Sequence, residues 1–310
     1  MRELTGYMIY HAAEGKKNNA FVSMFQHAGE AKGLQFQLVT RERYRQLPDP
    51  DFVLNRTRDA KVSQYYQQKK IPVFHEADIV ETGNDKWKTL QLAKRYWKDS
   101  VEGKIPDTLF LPKSCDRTEK QTIQQITEWH TKRIKECDRS GRKQDVVIKT
   151  VDGHGGSEVC LLSSERSSNT TEALCELLQT KYPHRDILCQ QWIDSDSKDI
   201  RVYVVAGQIY AAVCRQGEHD FRSNFSLGGK VSEYQLSESQ KSLIGRWIDC
   251  LGGEKLAMAG IDFLPDRDGS LVFNELEEMV GSRMLYSCTD LDIVRDYTAW
   301  LAEALRKSIV

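Results

Sequence analysis

The stretch VVIKTVDGHGGSEVCLL, residues 146–162, places a lysine inside an apolar run and a glycine cluster directly after it. A phosphate-binding P-loop needs the order G-x-x-x-x-G-K-[ST] between a strand and a helix, and a dinucleotide-binding loop needs G-x-G-x-x-G. Here Lys149 precedes the glycines, and the segment from Glu158 to Leu162 has the character of a second strand. The stretch therefore predicts a β-hairpin with a glycine-rich turn, and neither of those two loops.

Such a hairpin can hold an anion. Lys149 ends the apolar run, so its ammonium group would lie at a half-buried edge as a point charge for a phosphate. The loop at 152–157 can turn several backbone N–H groups toward one point. Its glycines are Gly153, Gly155 and Gly156. A plain glycine-rich turn with a surface lysine explains this stretch equally well in isolation, and His154 is more simply a surface residue than a catalyst.

The bulk properties describe an ordinary soluble enzyme and exclude some partners. The chain has 310 residues with a net charge of −1, so nucleic acid and anionic membranes would not attract it at long range. No apolar run approaches the roughly 20 residues of a membrane span, and residues 1–5 lack a signal-peptide layout. The eight cysteines are scattered without a C-x-x-C pair, which favours reduced structural thiols. We expect a cytoplasmic protein.

The chain changes character along its length. Strand and helix patterns alternate over residues 1–83, which predicts a small parallel α/β domain. Helices and β-hairpins follow, including two apolar strands joined at Ala206 and Gly207 and another pair turning at 266–269, where a D-G dipeptide marks a hairpin. The predicted fold class is therefore α/β for the first domain and α+β for the rest.

The hairpin that turns at 266–269 carries three carboxylates. Glu275 and Glu277 are two apart on one strand and so share a face, and Asp262 on the partner strand falls roughly opposite them. Three acidic groups on one face repel each other unless a cation joins them, and hard oxygen ligands of this kind suit Mg²⁺. A solvated acidic strand is the alternative, but the apolar flanks place these strands in a core.

Two further polar patterns lie between these hairpins. Asp199 and Arg201 are two apart on a strand and could address a ribose or a phosphate together, although a surface ion pair is the better interpretation in isolation. The segment DFRSN at 220–224 gathers hydrogen-bond donors in a loop, including Arg222 and Asn224. As an isolated motif it is weak.

The order of the motifs is more specific than any one of them. The chain runs through Asp85-Lys86, Lys149 with the glycine loop, Gln190-Gln191-Trp192-Ile193, Asp199-x-Arg201, DFRSN, Gly260-Ile261-Asp262 and Glu275-x-Glu277. From about residue 84 to 290 this order resembles ATP-grasp proteins, and most of all the RimK-type branch with the glutamate ligases and glutathione synthetase-like enzymes. The resemblance implies an ATP-grasp fold with a small preceding domain at 1–83, a central subdomain at 84–190 that carries a glycine-rich flap, and a C-terminal subdomain at 191–310.

The resemblance also implies roles for individual residues. Lys86 and Lys149 would contact the nucleotide on its adenine and α/β-phosphate side, and the loop at 152–157, including Gly153, His154, Gly155 and Gly156, would be the flap. Gln191, Trp192 and Ile193 would form the hinge, with the backbone of 192–193 at the adenine edge, and Asp199 would contact the ribose. Arg201, Arg222 and Asn224 would face the phosphates and the acyl-phosphate region, and Asp262, Glu275 and Glu277 would hold Mg²⁺, with Mn²⁺ as a substitute.

One departure from the family pattern concerns the metal strand. The family usually ends this strand in E-x-N, whereas the present run is NELEEMVGSR with Glu277 in the asparagine position. A carboxylate can replace an amide oxygen as a ligand, so metal binding is expected to survive. A frame shifted by one residue would make Asn274 or Glu278 a participant.

The implied activity is ATP-dependent ligation of a carboxylate to an amine, with Mg-ATP clamped between the two grasp subdomains. A substrate carboxylate would attack the γ-phosphate, and the amine of a small-molecule or peptide acceptor would displace phosphate from the acyl phosphate. The alternative is a nucleotide-binding sensor or partner-binding module without ligase chemistry. An ATP-grasp phosphotransferase would need a catalytic histidine on a mobile domain, and none is placed for that. A homo-oligomer is compatible with either.

Two arginines of the first domain are left without a role in this scheme. Arg56 and Arg58 follow a strand in the segment NRTRD and could clamp a substrate carboxylate, because the arginine fork matches that geometry. An ion pair at a helix start explains them at least as well.

Overall fold

A computed structural model of the protein describes residues 2–98, 100–113, 119–137, 145–154, 158–162, 185–217 and 229–309. Within these residues the strands form three separate sheets, which follow one another in the order of the first domain, the glycine hairpin and the acidic hairpin. No helix in this part of the chain is both long and apolar enough to cross a membrane.

The first sheet is parallel, with strand order β2-β1-β3-β4. Its strands are β1 Leu4–Tyr10, β2 Leu34–Thr40, β3 Phe52–Asn55 and β4 Val73–Phe74. The helices of this part are Ala12–Lys17, Asn19–Glu30, Ala60–Gln68 and Ala77–Gly83, with a 3-10 turn at Tyr44–Gln46. Because parallel neighbours need a crossover between them, α-helices connect β1 to β2 and β3 to β4, while only the 3-10 turn lies between β2 and β3. This confirms the parallel α/β unit that the sequence predicts.

The second sheet is antiparallel and contains the glycine hairpin, with strand order β5-β8-β6-β7. Its strands are β5 Thr108–Leu111, β6 Val146–Thr150, β7 Val159–Leu162 and β8 Ile187–Gln191. The helix Glu119–Cys137 covers it and contributes Ile123 and Ile126 to a small core with Val146 and Ile148. The hairpin prediction for residues 146–162 is confirmed, since β6 pairs with β7 from Val146–Leu162 to Lys149–Val159.

The third sheet has the strand order β11-β10-β9-β12-β13 and is antiparallel throughout. Its strands are β9 Lys198–Val205, β10 Gln208–Gln216, β11 Lys230–Glu233, β12 Met258–Pro265 and β13 Leu271–Glu277. The remaining helices are Lys86–Trp97, Glu238–Leu251, Arg283–Cys288 and Ile293–Ile309, and Gly253–Lys255 is a 3-10 turn. The turn at Ala206 and Gly207 has φ of 52° and 70°, as a two-residue hairpin turn with a right-handed twist requires.

The two faces of the third sheet pack against different partners. Ile200, Val202 and Val204 of β9 lie in a core with residues of the helices Lys86–Trp97 and Glu238–Leu251. Tyr203, one residue out of step with them, lies in a second core shared with the first sheet and with the helices Asn19–Glu30 and Ile293–Ile309. The alternation of a strand therefore turns Asp199 and Arg201 toward the first domain.

Elements on both sides of the proposed boundary at residue 83 are in contact. The helix Ala77–Gly83 contacts both Ala60–Gln68, which precedes it, and Lys86–Trp97, which follows it. The domain boundaries at residues 83 and 190 therefore stay predictions. The strand pairing shows that the three sheets are separate.

Candidate active site

A row of charged side chains crosses three neighbouring strands of the third sheet. Arg201 on β9 pairs in register with Asp262 on β12, and Asp262 pairs with Glu275 on β13. Gly260 lies opposite Glu277. The sequence predicts that Asp262 lies opposite both glutamates. This is confirmed for Glu275, whereas the residue opposite Glu277 is Gly260.

A β-bulge adds a residue to this row. The register of β12 and β13 shifts between Asp262–Glu275 and Phe263–Phe273, so Asn274 is the extra residue on β13. Phe273 and Leu276 point into the core. Because a bulge breaks the simple alternation, Asn274 and Glu275 can both reach the polar side. Asn274 was one of the alternatives that the shifted frame offered.

Asp262 is held by two arginines. Its Oδ1 accepts from Nε of Arg201 at 2.7 Å, and its Oδ2 accepts from Nη2 of Arg201 and Nη2 of Arg215, each at 2.7 Å. All three side chains are buried, with exposed fractions of 1% for Asp262, 8% for Arg201 and 5% for Arg215. Burial opposes ionisation of Asp262, but the charges and hydrogen bonds of the arginines outweigh it and lower its pKa well below the usual range.

Arg215 joins Asp199 to the same network. Its Nη2 donates to Oδ2 of Asp199 at 2.6 Å, and its Nε donates to Oδ1 of that carboxylate. The four groups thus alternate in sign from Asp199 through Arg215 and Asp262 to Arg201. The interpretation of Asp199 and Arg201 as a surface ion pair with each other is therefore wrong, because both are buried and bond to partners on other strands. A ribose contact of Asp199 stays a prediction.

Two lysines from different elements approach the β13 strand. Lys149 on β6 donates from Nζ to Oδ1 of Asn274 at 3.3 Å, and Nζ of Lys86 lies 3.5 Å from Oε2 of Glu275. Lys86 begins the helix Lys86–Trp97, which Asp85 caps by accepting from the N–H of Lys88. The backbone N–H of Lys86 donates to the carbonyl of Val151 at 3.1 Å. The structure thus brings both predicted nucleotide-binding lysines to the acidic strand.

Lys86 also holds the beginning of the glycine loop. Its Nζ donates to the carbonyl oxygen of Gly153. A side chain at Gly153 would collide with Thr150 Oγ1 at 2.3 Å and with Glu158 Oε2 at 2.6 Å, two groups that bond to each other across the hairpin. A larger residue at position 153 would therefore force these two side chains to move.

His154 sits among charges of three different segments. Desolvation, with the positive charges of Arg58 and Lys86, lowers its pKa to about 4, although Glu275 and Glu278 act in the opposite direction. It is therefore neutral near pH 7. His154 is exposed, as expected of a surface residue.

The predicted hinge lies at the end of β8. The N–H of Gln191 donates to the carbonyl of Asp107 at 2.8 Å, and that of Trp192 donates to the carbonyl of Asp145 at 3.0 Å. The carbonyl of Ile193 accepts from the N–H of Ser195 at 2.9 Å. These bonds tie the segment to the second sheet, and recognition of adenine by the backbone of 192–193 stays a prediction. Gly155, Gly156, Arg222 and Asn224 lie outside the described residues.

A fit to a divalent cation can be judged from the carboxylates themselves. Among the described residues no three acidic, histidine or cysteine side chains are spaced to hold a metal ion in this arrangement. Burial and the charge of Glu275 raise the pKa of Glu277, against the opposing charge of Arg201. A cation between Glu275 and Glu277 would offset that repulsion, so this pair fits a hard ion. Asp262 has about four acceptor positions and gives three to arginines, which leaves about one.

Sequence reasoning missed Arg215 and treated Glu278 only as an alternative. Arg215 directly follows the apolar run AAVC at residues 211–214, and an isolated charge in such a strand is the signal that could have found it. Glu278 is 2% exposed and accepts from Nδ2 of Asn84 at 2.7 Å, while Nδ1 of His75 lies 3.7 Å from its other oxygen. Glu278 therefore connects the end of β13 to Asn84, just before the helix Lys86–Trp97.

The charge of Lys149 is expected to depend on pH in the neutral range. Its side chain is 6% exposed, and burial lowers its pKa to about 8. The charged form attracts phosphate, so we expect the Kd for ATP to rise about tenfold as the pH increases from about 7 to about 9. Titration calorimetry of ATP binding across this range measures the effect. Lys149→Met should remove the dependence, and a wild-type affinity that stays constant would contradict the expectation.

Comparison with known proteins agrees with this geometry. Residues 84–301 match the family of the RimK-like ATP-grasp domain. A probable alpha-L-glutamate ligase of Histophilus somni is 26% identical over 269 residues, covering 84% of this chain and 79% of that protein. The structure of the D-cycloserine synthetase DcsG superposes with a TM-score of 0.71 at 14% identity, covering 97% and 99% of the two chains.

A second solved structure has a similar fold. It is the ATP-grasp ligase PsnB complexed with minimal precursor, Mg and ADP, with a TM-score of 0.64 and 16% identity over 98% of this chain and 97% of that one. These comparisons confirm the predicted ATP-grasp fold and the predicted class of enzyme, an ATP-grasp ligase. The chain belongs to the RimK-like ATP-grasp family.

Proposed function

We propose that this protein is an ATP-dependent carboxylate–amine ligase that works through an acyl phosphate. Mg-ATP would be clamped between the second sheet, which carries the glycine hairpin, and the third sheet, which carries Asp262, Glu275 and Glu277. The observation that carries this proposal is the approach of Lys86 and Lys149 to Glu275 and Asn274. Lysines for phosphate on one side and carboxylates for a cation on the other are what a clamp on a metal-bound triphosphate requires.

The residues of this chain would act mainly by position and charge. Lys86 and Lys149 bind phosphate oxygens, and Arg201 supplies positive charge between Asp262 and Glu277, where its Nη2 lies 4.0 Å from Oε2 of Glu277. Glu275 and Glu277, with one position on Asp262, would hold Mg²⁺, which when bound neutralises charge on the transferring phosphoryl group. The glycine loop would exclude water from the acyl phosphate, whose hydrolysis would waste it.

The reaction would proceed in two steps. The substrate carboxylate attacks the γ-phosphorus of ATP, so a new C–O–P linkage forms as the bond to ADP breaks. The neutral amine attacks the acyl carbon, phosphate leaves with the electron pair of the C–O bond, and the amine loses a proton. Two comparisons support the cofactors and a first substrate: PsnB was solved with Mg and ADP, and the Histophilus somni relative is named an alpha-L-glutamate ligase.

A substrate screen tests this function. We expect ADP and phosphate release to increase at least about tenfold over the ATP-only background when the carboxylate and amine partners are both present. L-glutamate is the first amine to supply, alone and with amino acids, dipeptides and cell extract as sources of the carboxylate. Mass spectrometry of the product should show the mass of both partners minus water.

The screen also addresses the alternative function. ATP binding without substrate-dependent ADP release would contradict ligase chemistry and favour a nucleotide-binding sensor or partner-binding module. ADP release together with a phosphorylated product that no amine consumes would favour phosphotransfer. A cytoplasmic location, a homo-oligomeric state and the use of Mn²⁺ stay predictions.

A further inference from the structure

Glu277 lies where the pairing of β13 with β12 ends. It is the last residue of β13, and its partner in the register is Gly260, which has no side chain to support it. A carboxylate at the end of a strand keeps one direction only if the backbone on both sides of it is fixed. The position of Glu277 therefore depends on the residues that follow it, 278–281, which we call the anchor segment.

Two side chains from other elements hold the backbone of the anchor segment. Nη2 of Arg56, in the first domain, donates to the carbonyl oxygens of Met279 and Val280, each at 3.1 Å. Oη of Tyr203, on β9, donates to the carbonyl oxygen of Gly281 at 3.2 Å. Three consecutive carbonyls are therefore bonded from outside the segment, and a change in its direction would break these bonds.

The side chain of Glu278 is a buried carboxylate with two different neighbours. Its Oε1 accepts from Nδ2 of Asn84 at 2.7 Å, and Nδ1 of His75 lies 3.7 Å from its Oε2. Oε2 makes no hydrogen bond to the residues that the structure describes. The backbone at Gly83 leaves room for this side chain, since a β-carbon there would lie 2.7 Å from Cγ of Glu278. A buried carboxylate is stable only where donors surround it, so these neighbours determine where Glu278 lies.

His75 is itself held between the first domain and β12. Its Nε2 accepts from the N–H of Met258 at 3.2 Å, so the ring carries its proton on Nδ1, the nitrogen that faces Glu278. The carbonyl of His75 accepts from Oγ of Ser63 at 2.7 Å, and that oxygen accepts from Nδ2 of Asn55 at 2.8 Å. A buried series of side chains thus runs from the end of β3 to the anchor segment.

We propose that Glu278 is a positioning residue for the metal site: held by His75 and Asn84, it fixes the anchor segment and so keeps the carboxylate of Glu277 directed at Mg²⁺. This inference rests on the proposed function, in which Glu277 holds Mg²⁺. Glu278 is buried, whereas Glu277 keeps 23% of its side chain exposed, so the two adjacent carboxylates have separate roles. Removing a group that orients a metal ligand lowers metal affinity by about 10- to 100-fold.

The test measures how much Mg²⁺ strengthens nucleotide binding. The full chain is titrated with a non-hydrolysable ATP analogue in a calorimeter, once with saturating Mg²⁺ and once with EDTA. The ratio of the Kd in EDTA to the Kd with Mg²⁺ reports the contribution of the metal. We expect Glu278→Gln to lower this ratio by about tenfold, because an amide N–H would then face the N–H of His75, and to leave the Kd in EDTA unchanged. Asn84→Ala keeps the charge of Glu278 and removes its hydrogen bond, so it should lower the ratio by about threefold.

A control variant and the Kd in EDTA separate position from stability and from charge. Glu30→Gln changes a glutamate of the first domain whose side chain is 76% exposed, and it should match wild type. A wild-type ratio in folded Glu278→Gln, or an equal rise of both Kd values, would overturn the proposal. So would a low ratio in Glu278→Gln beside a wild-type ratio in Asn84→Ala, because the charge of Glu278 would then act without its position. If circular dichroism shows that Glu278→Gln does not fold, the ratio of Asn84→Ala decides.

The same measurements distinguish this inference from the proposed function. Mg²⁺-dependent binding that is weakened by Glu278→Gln and Asn84→Ala, in a chain without substrate-dependent ADP release, would support the positioning role and contradict only the ligase chemistry. Substrate-dependent ADP release with wild-type ratios in both variants would contradict only the positioning role. A ratio of one in the wild type would exclude Mg²⁺ from nucleotide binding and overturn both.

Discussion

Replacing Glu275 and Glu277 together by alanine is expected to abolish ATP-dependent ADP release, and Glu275→Gln alone is expected to lower its rate by about 100- to 1000-fold. Burial opposes ionisation of Glu275, but the charges of Lys86, Lys149 and Arg201 together outweigh it and keep its pKa below the usual value. Glu275 is therefore a carboxylate near pH 7. Glutamine keeps the shape and removes the charge on which both Lys86 and a cation depend.

The measurement is a coupled assay of ADP production at saturating Mg²⁺ and ATP, with the substrates identified by the screen. Glu303→Gln provides a matched control, because Glu303 is an exposed glutamate on the last helix, Ile293–Ile309. Circular dichroism of each variant checks that the fold is retained. A double variant with wild-type turnover would remove these carboxylates from the mechanism.

The two hairpins that frame the site could be predicted from local sequence alone. Apolar alternation and a turn signal at Asp268-Gly269 define β12 and β13, and Gly269 has a φ of 78° that suits glycine. The same reasoning placed Glu275 and Glu277 on one face. Period and turn residues are properties of a few neighbouring positions, so one sequence is enough to read them.

The partners of these residues could not be predicted in the same way. Whether Asp262 meets a cation or an arginine depends on which strand lies beside it, and the order β10-β9-β12-β13 arises from contacts between distant parts of the chain. The bulge at Asn274 changes the register by one residue, and no turn residue marks it. Faces could thus be predicted, whereas lateral neighbours could not.

The segment NRTRD at residues 55–59 is a second example of surroundings that the sequence does not predict. NRTRD offered two arginines of equal standing, and the structure separates them by their surroundings: Arg56 contacts the backbone of β13, whereas Arg58 stays partly exposed beside Glu14. The backbone of Arg58 is also left-handed, with a φ of 58°. A sequence pattern does not show which of two identical side chains is held in such a conformation.

The buried network around Asp262 leads to the largest expected effect on stability. Asp262→Ala would leave Arg215 paired with Asp199 alone, and Arg201 with no carboxylate nearer than Glu277 at 4.0 Å, although the two arginine side chains are only 5% and 8% exposed. Removing one partner of a buried ion pair costs about 3–5 kcal/mol, because the remaining charge stays desolvated. We expect the free energy of unfolding at neutral pH to fall by that amount.

The sign of the pH dependence follows from the same contacts. The pKa of Asp262 is lower in the folded state than in the unfolded chain, so its contribution is present at neutral pH and is lost as the pH falls through the folded-state pKa. The difference in stability between wild type and Asp262→Ala should therefore shrink in strong acid. Urea denaturation at several pH values measures both the difference and its decline.

Asp268→Ala on the same hairpin is the matched control for Asp262→Ala. Asp268 also pairs with a cation, Lys104 at 2.7 Å, but this pair is exposed, so its loss should cost about 1 kcal/mol or less. A large difference between the two variants would show that burial, and not ion pairing as such, makes the network important. Asp262→Ala could instead lose turnover while its free energy of unfolding equals that of Asp268→Ala. Asp262 would then act as a ligand in the reaction, and its ion pairs with the two arginines would not contribute to stability.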